Sequence, residues 1–117
     1  MTEEQFKQRT KQLALRVIRL VESLPKSKTG DVIGRQVLRS ATSVGANYRA
    51  ACRAKSNADM INKLRIVEEE ADETLYWLEL LVEAELIAPN RLANLMDETN
   101  QITAMIVSSI NTLRKKK

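Results

Sequence analysis

The chain has 117 residues, with 19 basic and 15 acidic side chains, no histidine and a formal net charge of +4. Its hydrophobic content of 44% with only 3% aromatic residues argues against a sheet protein and favours aliphatic helix packing in a single domain, 1–117. One cysteine excludes an internal disulfide, and no apolar run reaches the roughly 18 residues that would span a bilayer, so we expect a cytoplasmic protein without membrane contact.

Proline, glycine and polar breaks divide the chain into four amphipathic segments. The breaks lie at 24–30, 55–57 and 87–90, and apolar residues recur between them at helical spacing. The pattern predicts helices at about 3–24, 31–54, 57–86 and 90–114. Because short links between long helices favour antiparallel neighbours, the predicted fold is all-α, an antiparallel up-down-up-down four-helix bundle.

The first and fourth helices each carry one apolar face that predicts their side of the core. In the first helix this face contains Phe6, Leu13, Val17, Leu20, Val21 and Leu24. In the fourth helix it contains Leu92, Leu95, Thr99, Ile102, Ile106, Ile110 and Leu113. Two starts are open for the fourth helix, since Asn90 is a good capping residue and Pro89 suits a first turn.

The second helix has a core face bordered on one side by very small residues. Its core residues are predicted to be Val37, Ala41, Val44, Tyr48 and Ala51. Gly34, Gly45 and Cys52 lie along one margin of that face, although a glycine inside a helix costs about 1 kcal/mol relative to alanine. We expect a neighbouring helix to approach closely along this margin, because the added dispersion contacts offset the glycine penalty.

The opposite margin of the second helix is a stripe of uncharged polar side chains, Gln36, Ser40, Ser43 and Asn47. Buried polar groups need hydrogen-bond partners, so one interpretation is a specific contact between helices or subunits. The alternative is a flank exposed to solvent. The first interpretation places these four residues in an oligomer interface.

An arginine ridge lies on the second helix opposite its core face. It consists of Arg35, Arg39, Arg49 and Arg53, which fall within roughly 80° on the helical wheel. With the terminal run Arg114, Lys115, Lys116 and Lys117, the ridge is a candidate phosphate-binding surface. Nine acidic residues in the third helix offer a different role, in which Arg49 and Arg53 pair with that helix or with another subunit.

The third helix carries two apolar faces. Ser56 with Asp59 resembles a capping box at its start, and the predicted core face contains Ile61, Leu64, Val67, Ala71, Leu75, Leu78 and Val82. Ile66, Trp77, Leu80 and Ala84 form a second face that one four-helix core cannot bury. Because tryptophan is enriched in interfaces, this face predicts self-association through Ile66, Trp77 and Leu80. The alternative is that Trp77 packs its ring edge on a neighbouring helix.

Enzymatic chemistry has no support in the residues present. The acidic run 68–73 contains no histidine for the Glu-x-x-His pairs of bundle metal centres, and its adjacent carboxylates point around the helix. Cys52 has no histidine to activate it, and there is no glycine-rich phosphate loop. We therefore expect no catalytic residues, no metal and no cofactor, and interpret Cys52 as a small buried hydrophobe.

The central segment resembles a known family. Its hallmarks are Gln36 with Arg39, Ser40 and Ala41; Ser43 through Tyr48; Ser56 through Asp59; and Glu73-Thr74 followed by Tyr76-Trp77-Leu78. In order and spacing they resemble the bacterial four-helix-bundle family named for proteins encoded in intervening sequences of 23S ribosomal RNA genes. The trailing apolar helix fits as well, so the resemblance covers most of the chain.

The resemblance implies an antiparallel bundle that assembles into a ring, with a homopentamer as the expected form, and no known reaction. A similar group is the accessory variability determinants of diversity-generating retroelements. Resemblance to this group implies a basic pentamer that acts as partner of a reverse transcriptase and its nucleic acid. Two hypotheses follow. In the first, the chain is a nucleic-acid-associated accessory factor that binds RNA or DNA through basic surfaces. In the second, it is a protein-interaction scaffold with no nucleic-acid role, in which the arginines form ion pairs with glutamates.

Overall fold

A computed structural model describes residues 1–116, which form four α-helices and no strand. The helices are α1 (Glu3–Glu22), α2 (Lys28–Cys52), α3 (Asn57–Glu83) and α4 (Pro89–Arg114). None of these helices is both long enough and apolar enough to cross a membrane. The all-α, four-helix prediction is confirmed, and four of the six predicted helix boundaries at the chain breaks move by two or three residues.

Local capping explains where α1 and α2 begin and end. Thr2 and Gln5 form a reciprocal capping box at the start of α1. The Gln5 N–H donates to the Thr2 hydroxyl at 3.1 Å, and the Thr2 N–H donates to the Gln5 side-chain oxygen at 2.9 Å. The helix ends at Glu22, two residues before the predicted end. Ser27 caps α2 by accepting a hydrogen bond from the Gly30 N–H at 2.9 Å, so α2 starts before Gly30 instead of after it.

Gly30 occupies its position in the first turn of α2 because a larger residue would not fit. A Cβ atom there would lie 2.9 Å from the Ser27 hydroxyl and 3.0 Å from the Pro25 carbonyl oxygen. The prediction that treated Gly30 as part of a chain break was therefore wrong. Gly30 lies inside α2 and lets the start of this helix pack against the preceding turn.

The ends of α3 and α4 follow the same principles. Ser56 accepts from the Asp59 N–H at 3.1 Å, as predicted, but the Asp59 carboxylate accepts from the Lys55 N–H rather than completing the box. The helix ends at Glu83, three residues before the predicted end, where Glu85 adopts a left-handed φ of 62°. Pro89 opens α4 without a side-chain cap, which decides between the two predicted starts.

Consecutive helices run antiparallel, and α4 closes against α1. Phe6 meets Tyr48 and Val21 meets the Gly34 position, so α1 and α2 run in opposite directions. Arg9 donates hydrogen bonds to Glu98, and Arg16 donates one to Asn94, so α1 and α4 also run in opposite directions. In the diagonal pairs α1–α3 and α2–α4 no Cα atoms lie within 8 Å of each other, as expected for an up-down-up-down bundle. The bundle measures 49 × 21 × 20 Å.

The small-residue margin of α2 packs against α1, as predicted. A Cβ atom on Gly45 would lie 3.3 Å from the Thr10 hydroxyl, and one on Gly34 would lie 3.2 Å from Leu24 Cδ1. Thr10 is fully buried, and its hydroxyl lies 3.1 Å from the Phe6 carbonyl oxygen. The glycines thus allow α1 to approach closely at two levels, which accounts for their presence inside a helix.

The core runs the length of the bundle and is mostly aliphatic. All five predicted core residues of α2 are buried, as are Leu92 to Ile110 of the α4 face. The predicted core face of α3 needs one correction. Thr74 and Leu81 are fully buried, whereas Ile61, Leu75 and Val82 are only half-buried, because the α3 core face turns further toward α2 than the apolar residues alone suggest.

Candidate functional site

The arginine ridge of α2 extends along most of the molecule. Arg35, Arg39, Arg49 and Arg53 are all exposed, as predicted for the side of the helix opposite the core. Because a helix rises about 1.5 Å per residue, Arg35 and Arg53 are about 27 Å apart along the axis. The ridge is therefore not one compact patch, and its members lie in different electrostatic surroundings.

Arg39, in the middle of the ridge, is neutralised by α3. Its guanidinium pairs with Glu73 and with Glu70, the latter at 3.3 Å, and these carboxylates raise the pKa of Arg39, with Glu73 contributing most. The Trp77 indole N–H donates to Glu73 at 3.0 Å and, with Arg39, holds the pKa of Glu73 below its usual value. Arg39 is thus bound within its own chain.

Arg49 and Arg53 are not the arginines that pair with the acidic helix. The sequence suggested them for this role, but within residues 1–116 neither makes an ion pair, and α3 bonds Arg39 instead. The physical reason is register. The acidic run 68–73 of α3 lies at the level of Arg39, whereas Arg49 and Arg53 lie near the start of α3, where carboxylates are sparse.

One end of the molecule, which we call the basic end, gathers most of the excess positive charge. It comprises residues 1–8, 49–65 and 105–116, which the antiparallel topology brings together, and it holds nine basic and three acidic side chains. The opposite, neutral end comprises 19–35 and 76–93 and holds five of each. Arg49, Arg53, Arg114, Lys115 and Lys116 lie in the basic end. Arg35 lies in the neutral end, and Lys117 lies outside the described residues.

Four basic residues of this end were not identified from the sequence: Lys7, Lys55, Lys63 and Arg65. Lys63 pairs with Asp59 at 2.7 Å, whereas Lys55 and Arg65 are exposed and make no ion pair within the described chain. The signal was available in the antiparallel topology, since the start of α3 must meet the ends of α2 and α4. Reading each helix separately missed it.

The polar stripe of α2 faces α3, and its hydrogen bonds are made inside the protomer. Ser40 is fully buried, with its hydroxyl 2.9 Å from that of Thr74, so at this residue the stripe makes a contact between helices, and the side chain has no surface left for an oligomer interface. Ser43 donates to the Arg39 carbonyl oxygen, and Asn47 donates to that of Ser43. Gln36 accepts from Arg39 at 3.4 Å. Each of the four side chains thus makes a hydrogen bond within its own chain, and a place for Gln36, Ser43 and Asn47 in an oligomer interface stays a prediction.

The second apolar face of α3 is partly absorbed by the fold. Trp77 and Leu80 are half-buried and pack against the core, which agrees with the alternative interpretation of Trp77. Ile66 remains 42% exposed, and Tyr76, whose ring centroid lies 5.1 Å from that of Trp77, is 53% exposed. The exposed apolar surface of α3 is thus centred on Ile66 and Tyr76, and assembly through it stays a prediction.

The remaining reactive groups do not form a site. In the part of the chain that the structure describes, no three cysteine or carboxylate side chains converge as a metal site would require. Cys52 is half-buried, and burial raises the pKa of its thiol, which disfavours the nucleophilic thiolate.

Comparison with known proteins identifies the family to which this four-helix chain belongs. A family model described as 23S rRNA-intervening sequence protein matches residues 2–108. The chain is also similar to a crystal structure of a protein with unknown function from the S23 ribosomal protein family of Bacteroides thetaiotaomicron VPI-5482. The two are 38% identical, with a TM-score of 0.87 over 95% of this chain and 99% of the other. No curated protein matches significantly. The chain belongs to the family of 23S rRNA-intervening sequence proteins.

Proposed function

We propose that the protein is a non-enzymatic, oligomeric accessory factor that binds RNA or DNA through its basic end. One observation carries the proposal: two stretches without any acidic residue, 32–58 and 99–116, finish at the same end of the bundle. Nucleic acid presents a dense line of phosphates, and clustered basic side chains bind it by releasing condensed counterions. A concentrated patch serves this purpose better than the same charges scattered over the surface.

The side chains of the basic end are available for such contacts. Arg49, Arg53, Lys55 and Arg65 are exposed and make no ion pair within residues 1–116. Arg39 differs, since reaching phosphate would require it to leave two glutamates. We therefore assign binding to Arg49, Arg53 and the residues from Arg114 onward, and we assign no binding role to Arg39 or Arg35.

Assembly would strengthen this activity. Val32, Ile66 and Tyr76 are exposed apolar residues on the neighbouring helices α2 and α3, and such residues favour contact with another chain. In a homopentameric ring, five basic ends would act together, so that weak phosphate contacts add through effective concentration. Protein partners, a reverse transcriptase among them, could join the same assembly.

The experiment is a fluorescence anisotropy titration of labelled structured RNA and duplex DNA across a salt series. It compares the native protein with two variants that each remove four charges. The basic-end variant carries Arg49→Gln, Arg53→Gln, Lys115→Gln and Lys116→Gln, and the neutral-end variant carries Arg19→Gln, Lys26→Gln, Lys28→Gln and Arg35→Gln. Because both have the same net charge, they separate the position of the charge from its amount.

We expect micromolar or tighter binding by the native protein, with a steep loss as salt rises. The basic-end variant is expected to lose about 100-fold in affinity at low salt, with a shallower salt dependence, while the neutral-end variant loses less than about threefold. Equal losses in the two variants would contradict the assignment to the basic end. No binding by the folded native protein at low salt would reject the proposal and leave the protein-interaction scaffold.

Light scattering at micromolar concentration tests the assembly. An oligomer whose mass falls when Ile66→Ser and Tyr76→Ser are combined would support the α3 surface. Ile18→Ser is the matched control, because Ile18 is similarly exposed, at 39%, but lies on α1. A monomeric native protein would refute the assembly without affecting the charge argument.

A further inference from the structure

A groove opens at the basic end between the start of α3 and the end of α4. Three of its lining residues are apolar, Ala58, Ile61 and Leu113, which we call its apolar floor, and its volume is about 530 Å³. Ile61 and Leu113 are half-buried, which leaves part of each side chain facing the groove. A helix bundle normally covers such residues, so the basic end combines positive charge with apolar surface that the fold leaves uncovered.

The rim of the groove is polar and positively charged. Asn57, Asn62 and Arg65 line it from α3, and Arg114 lines it from α4. Of the acidic residues in the basic end, Asp59 is the one on α3, and it is bonded to Lys63 and to the Lys55 backbone. From Thr99 onward the chain has no acidic residue at all. The groove therefore favours an anionic ligand with an apolar portion.

These features match an unpaired nucleotide better than a phosphate backbone alone. Phosphates need only positive charge, and an apolar floor contributes nothing to their binding. A nucleobase has a flat apolar face, and contact with Ala58, Ile61 and Leu113 would remove that face from water. Asparagine amides offer one acceptor and two donors for the edge of a base. In a duplex those faces are stacked inside the helix and cannot reach the groove.

We propose that this groove holds an unpaired base of a single-stranded or looped nucleic acid, with Arg65 and Arg114 at its flanking phosphates. This inference rests on the proposed function and adds the structural class of the ligand. Lys115 and Lys116 follow Arg114 directly, and Lys55 lies two residues before Asn57, so basic side chains continue on both sides of the groove. A strand that places one base in the groove therefore keeps its neighbouring phosphates next to positive charge.

The test uses three oligonucleotide probes with equal numbers of phosphates: an unstructured single strand, a perfect duplex, and a strand in which abasic sites replace the central bases. Anisotropy titrations of the native protein are expected to show at least tenfold tighter binding of the single strand than of the abasic strand. Burial of the apolar face of a base against aliphatic side chains supports a difference of this size.

Two variants alter the groove without changing its charge. Ile61→Ser removes an apolar side chain from the groove. Ala58→Leu places a larger side chain in the groove, and it should preserve the fold because position 58 is exposed and leucine favours helix. Each is expected to weaken binding of the single strand about tenfold and binding of the abasic strand less than twofold. The matched controls, Ile18→Ser and Ala93→Leu, alter exposed positions away from the groove and should bind like the native protein. If Ile61→Ser does not fold, Ala58→Leu carries the test.

The outcomes separate this inference from the proposed function. Tight, salt-dependent binding that is equal for the single strand and the abasic strand would overturn the groove inference and leave the proposed function intact. Native protein that binds none of the three probes would reject both. Loss of single-strand binding in Ala58→Leu, with abasic binding unchanged, would support the groove as the base site.

Discussion

At the basic end, nine basic side chains stand against three acidic ones, whereas the neutral end holds five of each. The net charge of +4 conceals this separation, because the middle of the bundle carries the acidic run 68–73 and the Arg39 pairs. The two ends have the same helical construction, so the difference arises from sequence composition and chain direction. It shows that antiparallel topology can concentrate charge from segments that are far apart in the chain.

The ends also differ in how α1 and α2 are joined. Near the basic end, Phe6 and Tyr48 form an edge-to-face aromatic pair with ring centroids 4.6 Å apart. Toward the neutral end, Leu24 and Val21 pack on Gly34. A buried aromatic pair contributes more per residue than a half-buried aliphatic contact. The stronger of the two contacts between α1 and α2 thus lies near the basic end.

The largest effect is expected from removing that aromatic support. Tyr48→Ala should lower the free energy of unfolding by about 3 kcal/mol, because Tyr48 is only 8% exposed and its loss leaves a cavity against Phe6. Leu24→Ala at the other end should cost about 1 kcal/mol, since Leu24 is half-buried. Urea denaturation measures both. Tyr48→Phe, which keeps the ring, is the control, and equal losses for the two alanine variants would remove this distinction between the ends.

A second prediction makes the neutral end basic. Glu79→Gln, Glu83→Gln and Glu85→Gln remove three exposed carboxylates from that end. Nucleic-acid affinity should rise by less than about threefold, because long-range attraction increases only slightly while the basic end still makes the contacts. Anisotropy at fixed salt measures the change. A gain of about 100-fold would mean that total charge, and not its location, determines binding.

The two helix-facing glycines provide a smaller, paired comparison. Gly34→Ala should raise the free energy of unfolding by about 0.5–1 kcal/mol, since the helix gains propensity and the nearby Leu24 tip can shift. Gly45→Ala should lower it by about 1 kcal/mol, because its neighbour Thr10 is β-branched, fully buried and hydrogen-bonded. Urea denaturation distinguishes them, and the same sign for both would show that Thr10 yields as easily as Leu24.

The smallest effect concerns pH and the middle of the bundle. The pKa of Glu73 is lowered by the Trp77 hydrogen bond and by Arg39, so its carboxylate is more stable in the folded chain than in the unfolded one. Its contribution is complete above the unfolded value of about 4.5 and is lost as pH falls through the lower folded pKa. Glu73→Gln should therefore show a shallower loss of stability below pH about 4.5.

The emission of Trp77, the single tryptophan, follows this titration directly. In the native protein the emission should change at a pH below the ordinary range of a glutamate, and in Glu73→Gln that change should be absent. An identical pH profile in the two proteins would show that the Glu73 carboxylate does not sense the Arg39 and Trp77 contacts.

Much of the fold was predictable from the sequence because periodicity reports burial directly. The core faces of α1, α2 and α4 and the close approach at Gly45 follow from spacing and local chemistry. The misplaced core face of α3 has a physical cause. Thr74 has a polar side chain, so the apolar pattern left it out of the core face. It is buried because Ser40 on α2 provides a hydrogen-bonding partner.

The candidate site was less predictable, since it depends on which helix ends meet. The α2 wheel grouped Arg35 with Arg53, although they lie near opposite ends of the molecule. Pairing choices also depended on register, and α3 places its glutamates beside Arg39 instead of Arg49. The groove residues Ile61 and Arg65 become a site only when the end of α4 lies beside them.

Lysine footprinting tests the central claim most directly, because lysines at both ends report on the same sample. Acetylation of the native protein with and without bound RNA, read by mass spectrometry, compares Lys55, Lys63, Lys115 and Lys116 with Lys26 and Lys28. We predict that RNA protects the first group and leaves the second unchanged. Protection of Lys26 and Lys28 to the same extent, or protection of neither group under saturating RNA, would contradict binding through the basic end.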